Sequence, residues 1–302
     1  MAMSALTRRA ASTPTGFPLE VVTNLLQFFR LRPTDALCAA ALGVALLVPG
    51  AALASSPDTV MLEALTWTDV QARVASGTET VLIPVGGTEQ NGPHMALGKH
   101  NVRVYLLAEM IAKRIGGALV APVMAYVPEG QISPPTGHMR YSGTISISEK
   151  TFESLLEDSA SSFQQHGFRR IVLLGDHGGY QNHLAQVAAR LNQRWAGKSP
   201  ARVLHLKTFY DSAVAPFNQT LREKGFAGAE IGLHAGLADT SLSMALAPNL
   251  VDASRLAQAA IGARTLGVDG DPRRATAALG QAGVRLIVDN SVEALQKWIG
   301  KP

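Results

Sequence analysis

The sequence predicts an α/β domain with a mostly parallel central sheet, and three observations carry that prediction. Short apolar runs at residues 81–85, 118–123, 170–174 and 203–206 have the length and composition of buried strands. Between them lie segments whose apolar residues recur every three or four positions, the period of a helix with one buried face. Strands alternating with helices specify βαβ units, and so a parallel sheet. Ionisable residues and glycines gather directly after two of the runs, where open α/β sheets bind ligands.

Taken in order, residues 66–74 read as a first helix, capped by Thr66 or Thr68 and stopped near Gly77. The strand 81–85 leads through a glycine-broken loop into a helix whose apolar face is Val104, Leu107, Ala108, Ile111 and Ile115, with Gly116 and Gly117 as its end. Residues 118–123 then return as a parallel strand and complete a βαβ unit. Residues 126–146, rich in Gly, Pro, Ser and Thr, predict a long ordered loop, a feature that compact domains usually keep for function. A capping box over Ser146 and Glu149 predicts the next helix, with Phe152, Leu155, Leu156 and Phe163 on one face and a stop at Gly167. After the strand 170–174, Leu184, Val187, Ala188, Leu191 and Trp195 mark a further helix ending at Gly197, followed by the strand 203–206.

The C-terminal third is less regular. Asp239 opens a short helix through Met244, a weaker one covers 254–262, and residues 284–288 and 292–299 read as a last strand and a last helix. The alternating acids of the turn cluster 267–272 lack the glutamate that a calcium loop requires at its twelfth position. No internal repeat or interior linker interrupts the chain.

A hydrophobic content of 47% with 17% charged residues is enough to bury a sizeable core and argues against disorder. The formal charge is only +4 and the basic residues are scattered, which argues against a nucleic-acid surface. Residues 36–48 are an apolar stretch, and Ala52-Leu53-Ala54 is a small-residue cleavage signal, so residues 1–54 read as an export segment and 55–302 as the mature domain. The competing reading is an uncleaved membrane anchor. Cleavage would leave a periplasmic or secreted chain with no membrane contact, a charge of +2 and no cysteine, since Cys38 lies in the removed segment. That excludes thiolate metal ligands and cysteine nucleophiles.

The chemistry concentrates in three loops. Residues 84–101 hold Glu89, His94 and His100 among four glycines; Asp176, His177, Gly178 and Gly179 follow the strand 170–174; and His234 and Asp239 belong to residues 233–241. Carboxylate oxygens with neutral imidazoles suit a divalent metal such as zinc, manganese or iron. His138, in the Gly/Pro-rich loop, is open between binding substrate and mere exposure, while His166 and His205 read as structural. No Gly-x-Ser-x-Gly elbow, dinucleotide fingerprint or phosphate loop is present.

The blocks Glu89-Gln-Asn-Gly-Pro-His94, Gly175-Asp-His-Gly-Gly179 and His234-Ala-Gly-Leu-Ala-Asp-Thr-Ser241, in this order, resemble the signature blocks of the creatininase (creatinine amidohydrolase) family from about Leu62 onward. The resemblance implies a three-layer α/β/α sandwich, commonly a hexamer, whose divalent metals activate water to hydrolyse C–N bonds of cyclic or linear amides. It also implies Glu89 and His177 as metal ligands, His100 in the place of a bridging aspartate, and Asp239 as a further ligand or base. Asn91, Gly179 and Leu237 stand where the family pattern has a metal-binding histidine, a metal-binding glutamate and an acidic residue. Those departures remove ligands, and the loss of the bridging carboxylate to His100 lowers the negative charge needed to hold two dications together.

The sequence therefore predicts an exported amidohydrolase with one divalent metal per chain on Glu89, His100 and His177, with Asp239 as a further candidate ligand. His234 and Asp239 are the expected proton carriers, His94, His138, Gly178 and Gly179 the expected substrate contacts, and backbone amides at residues 86–87 and 178–179 the expected oxyanion donors. A small-molecule amide is the expected partner and a homo-oligomer the expected assembly. The competing functions are a catalytically silent, ligand-binding or structural relative, and a lyase or isomerase using its metal as a Lewis acid.

Overall fold

A computed structural model of the chain describes residues 58–300 apart from Gly262 and Arg264. The expected export segment, residues 1–54, lies outside the described residues. No helix among the described residues is long and apolar enough to cross a membrane.

The elements run α1 (Trp67–Ala75), β1 (Thr80–Val85), α2 (Lys99–Ile115), β2 (Ala118–Val120), α3 (Glu149–Gln165), β3 (Arg170–Gly175), α4 (Gln181–Trp195), β4 (Arg202–His205), α5 (Lys207–Glu223), α6 (Gly228–Ile231), α7 (Leu237–Leu246), α8 (Leu256–Ile261) and α9 (Ala277–Ile299), with short 3-10 turns between some of them. The strands form one parallel sheet in the order β2-β1-β3-β4. β1 is buried along its whole length, as its unbroken apolar run requires of a strand covered on both faces.

Alternation along the strands sorts the core into two layers. Val81, Ile83, Val85, Ile171 and Leu173 face Phe152 and Leu156 of α3 and Leu184, Val187 and Leu191 of α4. Leu82, Val172 and Leu174 face the other way, onto Leu107 and Ile111 of α2, Phe209 and Phe217 of α5, Leu242 of α7 and Ile287 of α9. The result is the expected three-layer α/β/α sandwich. Because the helix following β1 covers one face and the helix following β3 covers the other, the chain diverges between these neighbouring strands. A ligand crevice belongs at their carboxyl ends.

The main departure from expectation is at the C-terminus, where residues 284–288 are not a strand. They lie inside the 23-residue helix α9, capped by Thr276, whose side chain accepts from the Leu279 N–H. Val284, Ile287, Val288, Val292 and Leu295 share one buried face with helical spacing, and packing on that face outweighs the strand preference of the β-branched run. α5 has no counterpart among the expected elements. The cap of α3 is Ser148, accepting from the Thr151 N–H, two residues beyond the expected start. The Thr66 cap of α1 is present, as a box closed by Asp69.

Candidate metal centre

Three segments meet at the carboxyl ends of β1 and β3. Tyr180 fastens the two strand ends together: its hydroxyl oxygen lies 2.7 Å from the Val85 carbonyl and 2.6 Å from that of Gly86, and it accepts from the His177 N–H at 3.1 Å. The loop after β1 is folded on itself by Asn91, which is fully buried and donates to the carbonyls of Glu89 and Ala96, both at 2.9 Å. The third segment is the loop leading from β2 to α3. It is pinned to the Glu89 loop by Ile145 N–H to Thr88 O at 3.0 Å and by Gln90 N–H to Thr144 Oγ1 at 3.1 Å.

That third segment supplies two side chains. Glu89, Glu129, His138 and His177 each place a potential ligand atom so that all four lie within 4.8 Å of one another. Glu89 Oε2 faces His138 Nε2 at 3.1 Å and His177 Nε2 at 3.5 Å, and Glu129 Oε2 lies 3.7 Å from His177 Nδ1. Yet Glu89 Oε2 and both oxygens of Glu129 are buried without a hydrogen-bond partner among the described residues. Buried carboxylate oxygens are ordinarily satisfied, and two of them converging with two imidazoles make a donor set that suits zinc, manganese or iron. Gly87, with φ of +152°, passes so close to Glu129 that a Cβ there would lie 2.6 Å from Oε1. Only glycine lets the backbone approach in this way.

The electrostatics fit a cation site. Burial holds the His177 imidazole down to about 4 and that of His234 to about 3, and it lowers His138 as well, so all three rings are neutral near pH 7. Burial pushes the Glu129 carboxyl up to about 9, with the charge of neighbouring Glu89 acting in the same direction. Burial would also raise Glu89, but His100 and Lys99 outweigh it and hold that group far below the usual carboxylate range.

Of the residues expected as ligands, Glu89 and His177 belong to the four-residue group, and His100 and Asp239 lie beside it. His100 has both ring nitrogens engaged, Nε2 with Glu89 Oε1 at 2.8 Å and Nδ1 with Asp176 Oδ2 at 2.6 Å. Asp239 is ion-paired with Lys99 and Arg103 and accepts from the Ala235 N–H at 2.9 Å. Arg103 reaches on to Asp176 at 2.9 Å, so α2 contributes a buried network of alternating charge beneath the site.

A cavity of about 300 Å³ opens above this network, lined among others by Lys99, His138, His177, Gly178, Tyr210 and His234. His138 and Gly178 thus stand where a substrate contact is expected. His94 is 1% exposed, pairs through Nε2 with Thr240 Oγ1 at 3.0 Å, and is not among the lining residues. The expected oxyanion donors at residues 86–87 are otherwise engaged: Gly86 N–H donates to Met124 O and Gly87 N–H to Asn101 Oδ1, both at 2.9 Å. Gly179 N–H is directed at His177 Nδ1, 3.3 Å away. Glu129, Lys99, Arg103 and Tyr210 were not legible as site residues. Glu129 is a lone acid in a Gly/Pro-rich loop, and its burial is the only signal that sets it apart.

The family model described as creatinine amidohydrolase matches residues 63–295. The chain belongs to the creatininase family. Creatinine amidohydrolase of Pseudomonas putida is 34% identical over 203 residues, which cover 66% of this chain and 76% of that protein. The mycofactocin precursor peptide peptidase of Mycobacterium tuberculosis (strain H37Rv) is 27% identical over 248 residues, 76% of this chain and 90% of the relative. A solved creatininase structure superposes with a TM-score of 0.67 at 28% identity, covering 82% of this chain and all of the other. Further creatininase structures are named as a manganese form and as a Zn-Zn type. Family membership makes this chain an amidohydrolase, and both the fold and the resemblance read from the three blocks agree with it.

Proposed function

We propose that this creatininase-family member hydrolyses a C–N bond of a small cyclic or linear amide, using one divalent cation held by Glu89, Glu129, His138 and His177. The observation that carries the reading is the convergence of two buried carboxylates with His138 and His177, the two imidazoles of the group that line a cavity. When bound, the cation polarises an amide carbonyl and acidifies a water beside it.

The chain's own residues position the reaction. His234 Nε2 is held by Gln90, 2.9 Å from its carbonyl and 3.1 Å from its side-chain amide nitrogen, which orients the ring with Nδ1 on the Glu89 side, 3.7 Å from Oε1. Asp239, held ionised by Lys99 and Arg103 against the opposing effect of burial, is a poor proton carrier and acts by fixing those two cations. The cavity volume sits at the lower end of the range for small-molecule sites, which favours a compact amide over an extended peptide. Creatinine itself is not the favoured substrate, because Asn91 and Gly179 depart from the creatininase ligand pattern.

Elemental analysis of the purified protein should find close to one zinc, manganese or iron per chain. Hydrolysis of a panel of lactams, hydantoins and short linear amides should stop on chelation and return with metal. Protein that binds none of the three ions would leave the non-catalytic, ligand-binding reading in its place.

We also propose export, with residues 1–54 removed, and a homo-oligomeric assembly. Export rests on the cleavage signal ending at Ala54, and N-terminal sequencing of protein from the native host tests it. Assembly rests on the resemblance to the creatininase family, in which a hexamer is common. Light scattering tests it, and a monomer at micromolar concentration would count against it.

A further inference from the structure

We propose that the ammonium of Lys99 serves as a built-in second cation beside Glu89, filling the place that a second metal ion would otherwise take. The inference rests on the reading of a metal held by Glu89, Glu129, His138 and His177, and goes beyond it by giving the opposite side of Glu89 a function.

The two oxygens of Glu89 look into different surroundings. Oε2 belongs to the four-residue group. Oε1 is faced by His100 Nε2 at 2.8 Å, Lys99 Nζ at 3.5 Å and His234 Nδ1 at 3.7 Å. Lys99 is 1% exposed, and lysine is almost never so buried unless paired. Here it is paired twice, with Glu89 and with Asp239.

An ammonium held 3.5 Å from Glu89 Oε1 does two things. It neutralises the carboxylates of Glu89 and Asp239, which would otherwise attract a dication, and it repels any dication that approaches the same oxygens. Loss of ligands at Asn91 and Gly179 explains why a second metal would be weakly held. Lys99 explains how the negative charge left behind is balanced without one. Arg103 completes the balance by bridging Asp239 and Asp176, so three acids meet two basic side chains and the shared imidazole of His100. Lys99 also lines the cavity, which places a positive charge where a substrate would enter.

The test is a Mn²⁺ titration of the full chain and of Lys99→Ala, Lys99→Gln and Lys99→Arg, with bound metal counted by equilibrium dialysis and the spin state read by electron paramagnetic resonance. Wild type and Lys99→Arg should bind one ion with an uncoupled manganese spectrum. Lys99→Ala and Lys99→Gln should take up a second ion at least about tenfold more tightly than wild type does, with the spectrum of a coupled pair. Should Lys99→Ala not fold, Lys99→Gln carries the same expectation, and thermal melting identifies that case. Two ions in wild type, or one ion in both neutral variants, would overturn the role given to Lys99 while leaving the metal centre standing. No ion bound by wild type would instead remove the metal centre, and the Lys99 inference with it.

Discussion

His100 Nε2 lies 2.8 Å from Glu89 Oε1, and its other ring nitrogen lies 2.6 Å from Asp176, so the imidazole is a strut between two carboxylates. Burial and Lys99 act to lower its pKa, but Glu89 and the Asp176 hydrogen bond win and the ring is raised above its ordinary value. A side chain committed in this way steers Glu89 from behind. Removing such an outer partner typically costs 10–100-fold in metal affinity. His100→Asn should therefore weaken metal binding within about that range, whereas Glu89→Gln and His177→Ala should abolish it at micromolar metal. Equal losses in all three variants, measured by competition with a fluorescent chelator, would restore His100 to the ligand set.

Glu129 gives a pH-dependent prediction. Its carboxyl is pushed up to about 9 by burial and by Glu89. Between the ordinary value of 4.5 and that figure, the folded metal-free protein holds a proton that the unfolded chain has lost. The stability associated with this group is therefore fully present below the lower value and falls as pH rises through the window. Binding a metal at pH 7 should expel the proton, because a carboxylate ligand must be deprotonated. Calorimetry in two buffers of different ionisation enthalpy should find about one proton released per metal. Glu129→Gln should release none and should flatten the pH dependence of metal-free stability. Proton release that is unchanged in Glu129→Gln would show that another group titrates.

The sheet and the three motif-bearing loops were legible because their signals are local. An unbroken apolar run bounded by glycine marks β1 and β3, and a periodic apolar face marks α2 and α4. Two things were not. α9 contains a β-branched run that reads as a strand until its burial face is seen to continue with helical spacing from Val284 to Leu295. The site itself depends on which distant side chains meet: Glu129 comes from an irregular stretch and His138 from a single 3-10 turn, Gly137–Arg140, and they reach Glu89 through the pinning bonds of Gln90 and Ile145. Burial sets Glu89 and Glu129 apart from the other glutamates among the described residues, and burial is a property of the tertiary fold.

Tyr210 projects from α5 into the cavity wall beside Gly178, where a Cβ on the glycine would collide with the phenol oxygen. Burial and the nearby Asp239 charge raise the phenol above its ordinary pKa, so at neutral pH it is a hydrogen-bond donor and not a phenolate. If the hydroxyl contacts substrate, Tyr210→Phe should raise KM several-fold, in keeping with one lost hydrogen bond of about 0.5–1.5 kcal/mol, and should leave metal content unchanged. A change in metal stoichiometry in this variant would place Tyr210 in the centre's support instead.

Gly280 tests the packing that places Asp239. It lies in the first turns of α9, against α7, and a Cβ built there runs into the Ser241 carbonyl group, with Ala245 Cβ beyond it at 2.8 Å. Helix propensity alone would favour Gly280→Ala by about 1 kcal/mol. Overpacking against a backbone atom costs about 1–3 kcal/mol or more, because no rotamer change can relieve it. The second effect should win, so Gly280→Ala should lower stability in urea or thermal unfolding. Gly228, at the start of α6, has nothing within 4 Å of such a Cβ and provides the control; Gly228→Ala should be neutral or slightly stabilising. Since α7 carries Asp239, which anchors Lys99 and Arg103, the displacement that accommodates Gly280→Ala should also reach the site as a weaker hold on the metal. A variant as stable as wild type would mean that α7 and α9 separate more easily than their contact implies.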